Sequence, residues 1–313
     1  MKISALTHDQ RDFFEAEGYL LIDDVFTDAE LQPVVDEITA EISERARALV
    51  ESGELSRTFE EAGFEHQLTC ISRETPAVAE AVWNGVLCGP AIFDLIRHPK
   101  LLDIAESFCG PELIGSSVYR LRPKIPNHPK GPVPWHQDSG YFEAYCDQAL
   151  VLTVWLPLVD TTEENGCLWV LPRAHTGGIV QHYQGGQYLE INDRDLPHPE
   201  EAVCVEVKKG GILLLTNRTP HASYENRTDV TRWSMDLRYQ DAALPTNADL
   251  SRSEKETSDL GEAPIACYPP EADFLVRSLR RPEEVVVDHS RFNAIRTEHQ
   301  AVSVTPRWPK VDV

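Results

Sequence analysis

No stretch of this 313-residue sequence approaches the ~18–20 consecutive apolar residues of a membrane-spanning helix, so no membrane span is expected. The opening Met1–His8 turns polar and acidic within a few residues and lacks the apolar run of a secretory signal. Without secretion, the Asn-Arg-Thr sequons at Asn217 and Asn226 carry no glycosylation argument. Basic residues are scarce: 29 Lys and Arg stand against 51 Asp and Glu, a formal charge of −22. A surface that acidic repels nucleic acid and anionic membranes, which leaves a small molecule as the expected partner and the oligomeric state open. The seven cysteines are odd in number and none forms a C-x-x-C pair. Several sit in apolar runs such as Val203-Cys204-Val205, and they read as reduced core thiols of a cytoplasmic protein. Repeats, low-complexity tracts and a clear linker are also missing, while 42% hydrophobic and 26% charged residues suit a folded globular chain.

Three regions differ in texture. Residues 1–115 read mainly as helix. Thr7-His8-Asp9-Gln10 has the form of a capping box, and a short apolar strand, Tyr19-Leu20-Leu21-Ile22, follows. Thr27 can cap a second helix whose apolar positions Leu31, Val34, Val35, Ile38 and Ile42 recur at helical spacing, and a third is expected from about Pro90 to Phe108. From Ser116 to Gln240 short apolar runs alternate with Pro, Gly and Asn. Strands are predicted at 116–122, 133–138, 149–158, 167–171, 202–207, 211–216 and 231–239. Many short strands suggest a barrel or double-sheet jelly roll. The polar segments 176–200 and 241–263 could cover its mouth, and 241–313 reads as an extension packed on the core of a single domain.

Within Trp135-His136-Gln137-Asp138, strand alternation points His136 and Asp138 to one side and Gln137 to the other. A neutral imidazole and a carboxylate need one more distant ligand to form a facial triad with open metal positions, and His221, just after the strand 211–216, suits that role. Alone, each piece reads equally as a hydrogen-bonded structural residue. Arg232 opens the strand Arg232–Gln240, where alternation puts Arg232, Ser234, Asp236, Arg238 and Gln240 on one face. That face either meets solvent or lines a polar cavity. In a cavity, Arg232 offers a rigid fork for a carboxylate.

The chain resembles the phytanoyl-CoA dioxygenase family of iron(II)/2-oxoglutarate oxygenases over most of residues 8–240. The likeness rests on Phe13–Leu20, Trp135–Asp138, Asn165–His175, and His221 followed by Arg232, in that order. It implies a mainly β fold with helical additions on a double-stranded β-helix, the cupin-like jelly roll. It implies that His136, Asp138 and His221 hold iron(II), that Arg232 and Ser223 receive the distal carboxylate of 2-oxoglutarate, and that Trp155 stands beside the cosubstrate. It also implies that O2 is consumed and a C–H bond hydroxylated, with release of succinate and CO2. One departure is Pro172-Arg173-Ala174-His175, where relatives usually carry Pro-Gly-Ser-His; His175 is then expected to fix a loop rather than bind metal. Asp138 argues against halogenation, for which relatives replace this carboxylate with a small residue. Desaturation, cyclisation or epimerisation would use the same triad. Retention of all three ligands plus Arg232 argues against a non-catalytic metal-binding jelly roll, and a zinc hydrolase would have no use for Arg232. Substrate residues are weakly encoded: Arg122, Gln137 and Tyr141 are candidates, with Arg120, Lys124, Phe142 and Tyr145 nearby.

Overall fold

The computed structural model describes residues 6–83, 87–116, 119–142, 144–185, 188–244, 273–300 and 307–308, without the side chains of Tyr145, Asp273 and residues 297–300. Helix α1 (His8–Glu17) begins at the expected capping box, with Thr7 and Gln10 bonding each other's backbone, and stops at Gly18 in the left-handed region (φ 81°). Gly18 is also required by space: a Cβ there would lie 2.4 Å from Nδ1 of His175. Strand β1 (Tyr19–Ile22) follows, then α2 (Asp28–Ser52), capped by Thr27 and Glu30 in the same way. Helices α3 (Gly63–Ser72) and α4 (Ala77–Trp83) were not foreseen. The helix expected over 90–108 is two, α5 (Pro90–Ile96) and α6 (Pro99–Cys109). The break lies at His98-Pro99, because proline lacks the N–H of a continuing helix and disfavours helical geometry in the residue before it.

The strands are β2 (Leu113–Ser116), β3 (Arg120–Lys124), β4 (Val133–His136), β5 (Leu152–Pro157), β6 (Leu168–Val170), β7 (Tyr183–Gly185), β8 (Tyr188–Glu190), β9 (Val203–Val205), β10 (Ile212–Thr216), β11 (His221–Ser223), β12 (Arg232–Asp241) and β13 (Asp273–Arg277). The strand expected at 116–122 is thus replaced by β2 and β3, each paired antiparallel with a different part of β12. A seven-stranded sheet runs β1-β10-β5-β12-β2-β13 with β3 also on β12, and a four-stranded sheet runs β4-β11-β6-β9. This is the jelly-roll arrangement of antiparallel sheets; among the described residues it is not a closed barrel.

Alternation along the large sheet separates two cores. Leu152, Val154, Leu156, Ile212, Leu214, Trp233, Met235, Leu237 and Tyr239 pack outward against the helices. Trp155, Leu213 and Leu215 point inward and meet Leu168, Val170 and Val205 of the small sheet. The far end of the chain joins the large core: β13 extends the sheet beside β2, and helix α7 (His289–Gln300) stacks Phe292 on Phe93 of α5 at 4.8 Å. Six cysteines are free thiols, and Cys267 lies outside the described residues. Both sequon asparagines are buried and bonded: Asn217 to Ser139 and Ala149, Asn226 to the carbonyls of Lys124 and Val230. No described helix is long and apolar enough to cross a membrane.

Candidate metal and anion site

β4 ends at His136, two residues sooner than expected, and a 3-10 turn begins at Asp138. Gln137 between them stays extended (φ −111°, ψ 140°), so Asp138 still returns to the side of His136. His221 opens β11 as the direct cross-strand partner of His136, and the two rings lie 4.2 Å apart. One ligand atom from each of His136, Asp138 and His221 falls within 4.8 Å of the others, and all three residues are buried. Nδ1 of His136 sits 2.8 Å from the carbonyl of Pro134, and Nδ1 of His221 sits 2.9 Å from that of Thr219. Donation of Nδ1–H to those carbonyls leaves each Nε2 lone pair for a metal. Burial, with His221 beside it, holds the His136 ring well below its ordinary pKa, in the neutral form a metal needs.

Burial alone would raise the pKa of Asp138, but Arg238, His221 and His136 outweigh it and hold the carboxyl below its usual range. Thr153 donates to its Oδ2 at 2.6 Å and Arg238 to its Oδ1 at 3.1 Å. Two neutral imidazoles and one ionised carboxylate suit a divalent transition metal with open positions.

The same cavity continues along β12. Arg122, Trp155, Ser223, Arg232, Asp236 and Arg238 line it together with the three metal-competent residues. The polar face of β12 is therefore buried and lines a cavity, which resolves the choice left open by alternation. Arg232 is 2% exposed; it donates to Ser234, stacks its guanidinium 5.4 Å from the Trp155 ring, and leaves Nε without a hydrogen-bond partner. It has no ion pair among the described residues. Burial pushes its pKa down to about 10, which still leaves it charged at neutral pH. A buried cation with an orphaned donor, facing a cavity, is a site for an anion. Arg122 in the same cavity pairs with Asp236.

Two candidates for substrate binding lie elsewhere. Gln137 is fully buried on the opposite side of the chain: its Nε2 donates to the carbonyls of Gly178 and Arg218, and its Oε1 accepts from Val180. Strand alternation, which brings His136 and Asp138 together, is what turns Gln137 away. Tyr141 is buried beneath the β7–β8 hairpin, with its hydroxyl accepting from the Leu189 amide and its ring edge-on to His136 at 5.7 Å. It supports the histidine rather than facing the cavity. Phe142 packs with Cys146 and Val151 and lies 5.9 Å from the Arg238 guanidinium; the Tyr145 side chain lies outside the described residues.

His175 bonds the Glu15 carbonyl at 3.1 Å and docks α1, far from any ligand role. Arg173 adopts φ 64°, the left-handed conformation that glycine takes more easily, and is held by Glu17 and Glu201.

Arg238, placed by alternation on the polar face of β12, and Lys124, named beside Arg122, are both brought to this region. Sequence reasoning missed two supports: Thr153, two residues from Trp155, which alternation could have named, and His182, which accepts the Gln137 amide at 3.0 Å and comes from a loop with no periodic signal.

A sequence model of the phytanoyl-CoA dioxygenase family matches residues 14–234. The chain belongs to that family. It is an oxidoreductase, a dioxygenase of the iron(II)/2-oxoglutarate type, with O2 as the second cosubstrate. Within the phytanoyl-CoA dioxygenase family it is 26% identical to an Arabidopsis thaliana protein of that name, over 74% of this chain and 88% of the relative. It is 25% identical to a probable alpha-ketoglutarate-dependent hypophosphite dioxygenase of Stutzerimonas stutzeri, over 71% and 74%. The human peroxisomal phytanoyl-CoA dioxygenase is 24% identical over 76% and 70%. Among solved structures the fold is similar to the non-heme monooxygenase ThoJ, with a TM-score of 0.55, 22% identity, and 92% and 95% of the two chains covered.

Proposed function

We propose that this chain hydroxylates an unactivated C–H bond of a small molecule, with His136, Asp138 and His221 holding iron(II). Arg232 and Ser223 receive the distal carboxylate of 2-oxoglutarate, and Trp155 walls the cosubstrate. The observation that carries this reading is the buried Arg232, with no anionic partner among the described residues, in one cavity with the triad. When bound, iron and cosubstrate supply the oxidising chemistry. The chain's own residues do the rest. Arg238 and Thr153 keep Asp138 ionised and aimed, backbone carbonyls fix the imidazole tautomers, and the inward apolar residues exclude water. Asp138 keeps the position that halogenation would need vacant, which supports hydroxylation.

A larger cavity of about 980 Å3 shares Val133, Ala222 and Ser223 with the inner one. Trp135, Tyr188, Tyr224, Glu190 and Asp193 line it, without a basic side chain among the described residues. That lining supports entry of a neutral or cationic substrate with an apolar or planar portion. Free thiols support a reducing, cytoplasmic setting.

Anaerobic titration of the iron(II) protein with 2-oxoglutarate is expected to develop a weak visible charge-transfer band. Absence of the band together with absence of binding would sink the proposal. A screen of neutral and cationic small molecules, scored by succinate release and product mass, then identifies the substrate and separates hydroxylation from desaturation, cyclisation and epimerisation.

A further inference from the structure

Lys124 is 3% exposed, and no carboxylate pairs with it among the described residues. In the register of β3 and β12 it stands directly opposite Arg232. Directly opposed strand residues share a face with their Cβ atoms ~5 Å apart, and like charges there repel. Were both charged, two buried cations would face each other, with no carboxylate paired to either among the described residues. The lysine nitrogen has two acceptors, the Ser223 hydroxyl at 2.7 Å and the Tyr224 carbonyl. A neutral amine has two N–H donors to match them, whereas an ammonium has three. Because Ser223 accepts from Lys124, its own proton is free to point into the cavity it lines. Space for the amine is built in: a Cβ at Gly166, itself at φ 82°, would fall 2.7 Å from Lys124 Cδ and 3.1 Å from Nζ. The glycine of the Asn165-Gly166 turn thus serves both the turn and the lysine.

We propose that Lys124 is a proton-accepting positioning residue of the anion subsite: neutral in the cosubstrate-free protein, it takes up one proton from solvent when a carboxylate binds at Arg232 and Ser223. The incoming carboxylate supplies the negative charge that the opposed pair lacks, so Lys124 and Arg232 can both be charged only while the site is filled. Its surroundings agree. Burial pushes the Lys124 amine down to about 5, with Arg232 across the ladder and Arg122 on its own strand adding to the effect and Cys167 from the β6 side opposing it. The inference rests on the cosubstrate assignment above and adds a proton to it.

Calorimetric titration of the anaerobic iron(II) protein with 2-oxoglutarate, at pH 7.5 in buffers of different ionisation enthalpy, tests it without any variant. Close to one proton taken up per ligand is expected, with affinity falling nearly tenfold per pH unit between pH 6.5 and 8.5. In Lys124→Met the uptake should vanish and the affinity become weaker and flat with pH. In Ser223→Ala binding should weaken while the uptake persists. Binding to the wild-type protein without proton uptake, or equal uptake in Lys124→Met, overturns the role of Lys124 and leaves the cosubstrate assignment standing. Failure of 2-oxoglutarate to bind at all overturns both.

Discussion

The two ends of the inner cavity are built on opposite electrostatic principles. At the metal end the one negative charge, Asp138, is already met by Arg238 and Thr153, and both histidines are fixed by backbone carbonyls. At the anion end Arg232 and Lys124 face each other without a counter-ion among the described residues. A buried charge that has its partners gives rigid geometry, while one that lacks them gives affinity for whatever brings the missing charge. The metal end is organised before loading. On the proposed assignment the anion end is completed by its ligand.

Removing the carboxylate at the organised end has the largest expected effect. Asp138→Ala should abolish iron-dependent hydroxylation and weaken iron(II) binding; full retention of hydroxylation, measured by product formation, would mean that the triad is misassigned. Arg232→Met comes next. It should weaken 2-oxoglutarate binding by roughly two orders of magnitude, as truncation of one partner of a buried charge pair does, and leave iron binding intact. If both ligands weaken together, the two ends are not separable.

Arg238→Met tests whether the metal end depends on its support. A loss of about 10–100-fold in iron affinity is expected, with cosubstrate affinity nearly unchanged once iron is saturating.

The lysine sharpens the contrast through stability. Its folded-state pKa lies near 5 against an ordinary 10.5. Between those values the unfolded chain carries a proton at Lys124 that the folded, ligand-free protein does not. This group therefore makes stability rise with pH, by up to ~1.4 kcal/mol per unit across that window. Denaturant unfolding at pH 6 and pH 8 should show the rise in the wild-type protein and a flatter response in Lys124→Met.

The smallest effect is expected outside the cavity. Arg173→Gly relieves a left-handed conformation but gives up exposed ion pairs to Glu17 and Glu201, which are worth little. The melting temperature should shift by no more than about 2 °C. A large fall would show that these pairs hold α1 to the turn.

Much of this was legible because alternation and capping are local. Thr7 and Thr27 named their helices, and period two along 232–240 separated Arg232 and Asp236 from Trp233 and Leu237. The same rule brought His136 and Asp138 together, although the strand ends between them. The split of the helix at His98-Pro99 is equally local, since proline marks it. Other features had no local signal. Tyr141 sits beside the metal motif in sequence yet turns under a hairpin.

By itself the sequence determined the candidate ligand set, the family and the two faces of β12, since each depends on residue type and short-range period. Only the tertiary structure decided that the polar face of β12 is buried, that His136 stands opposite His221, and that Lys124 stands opposite Arg232. Strand register between distant segments decides which charges meet, and no spacing along one strand contains it.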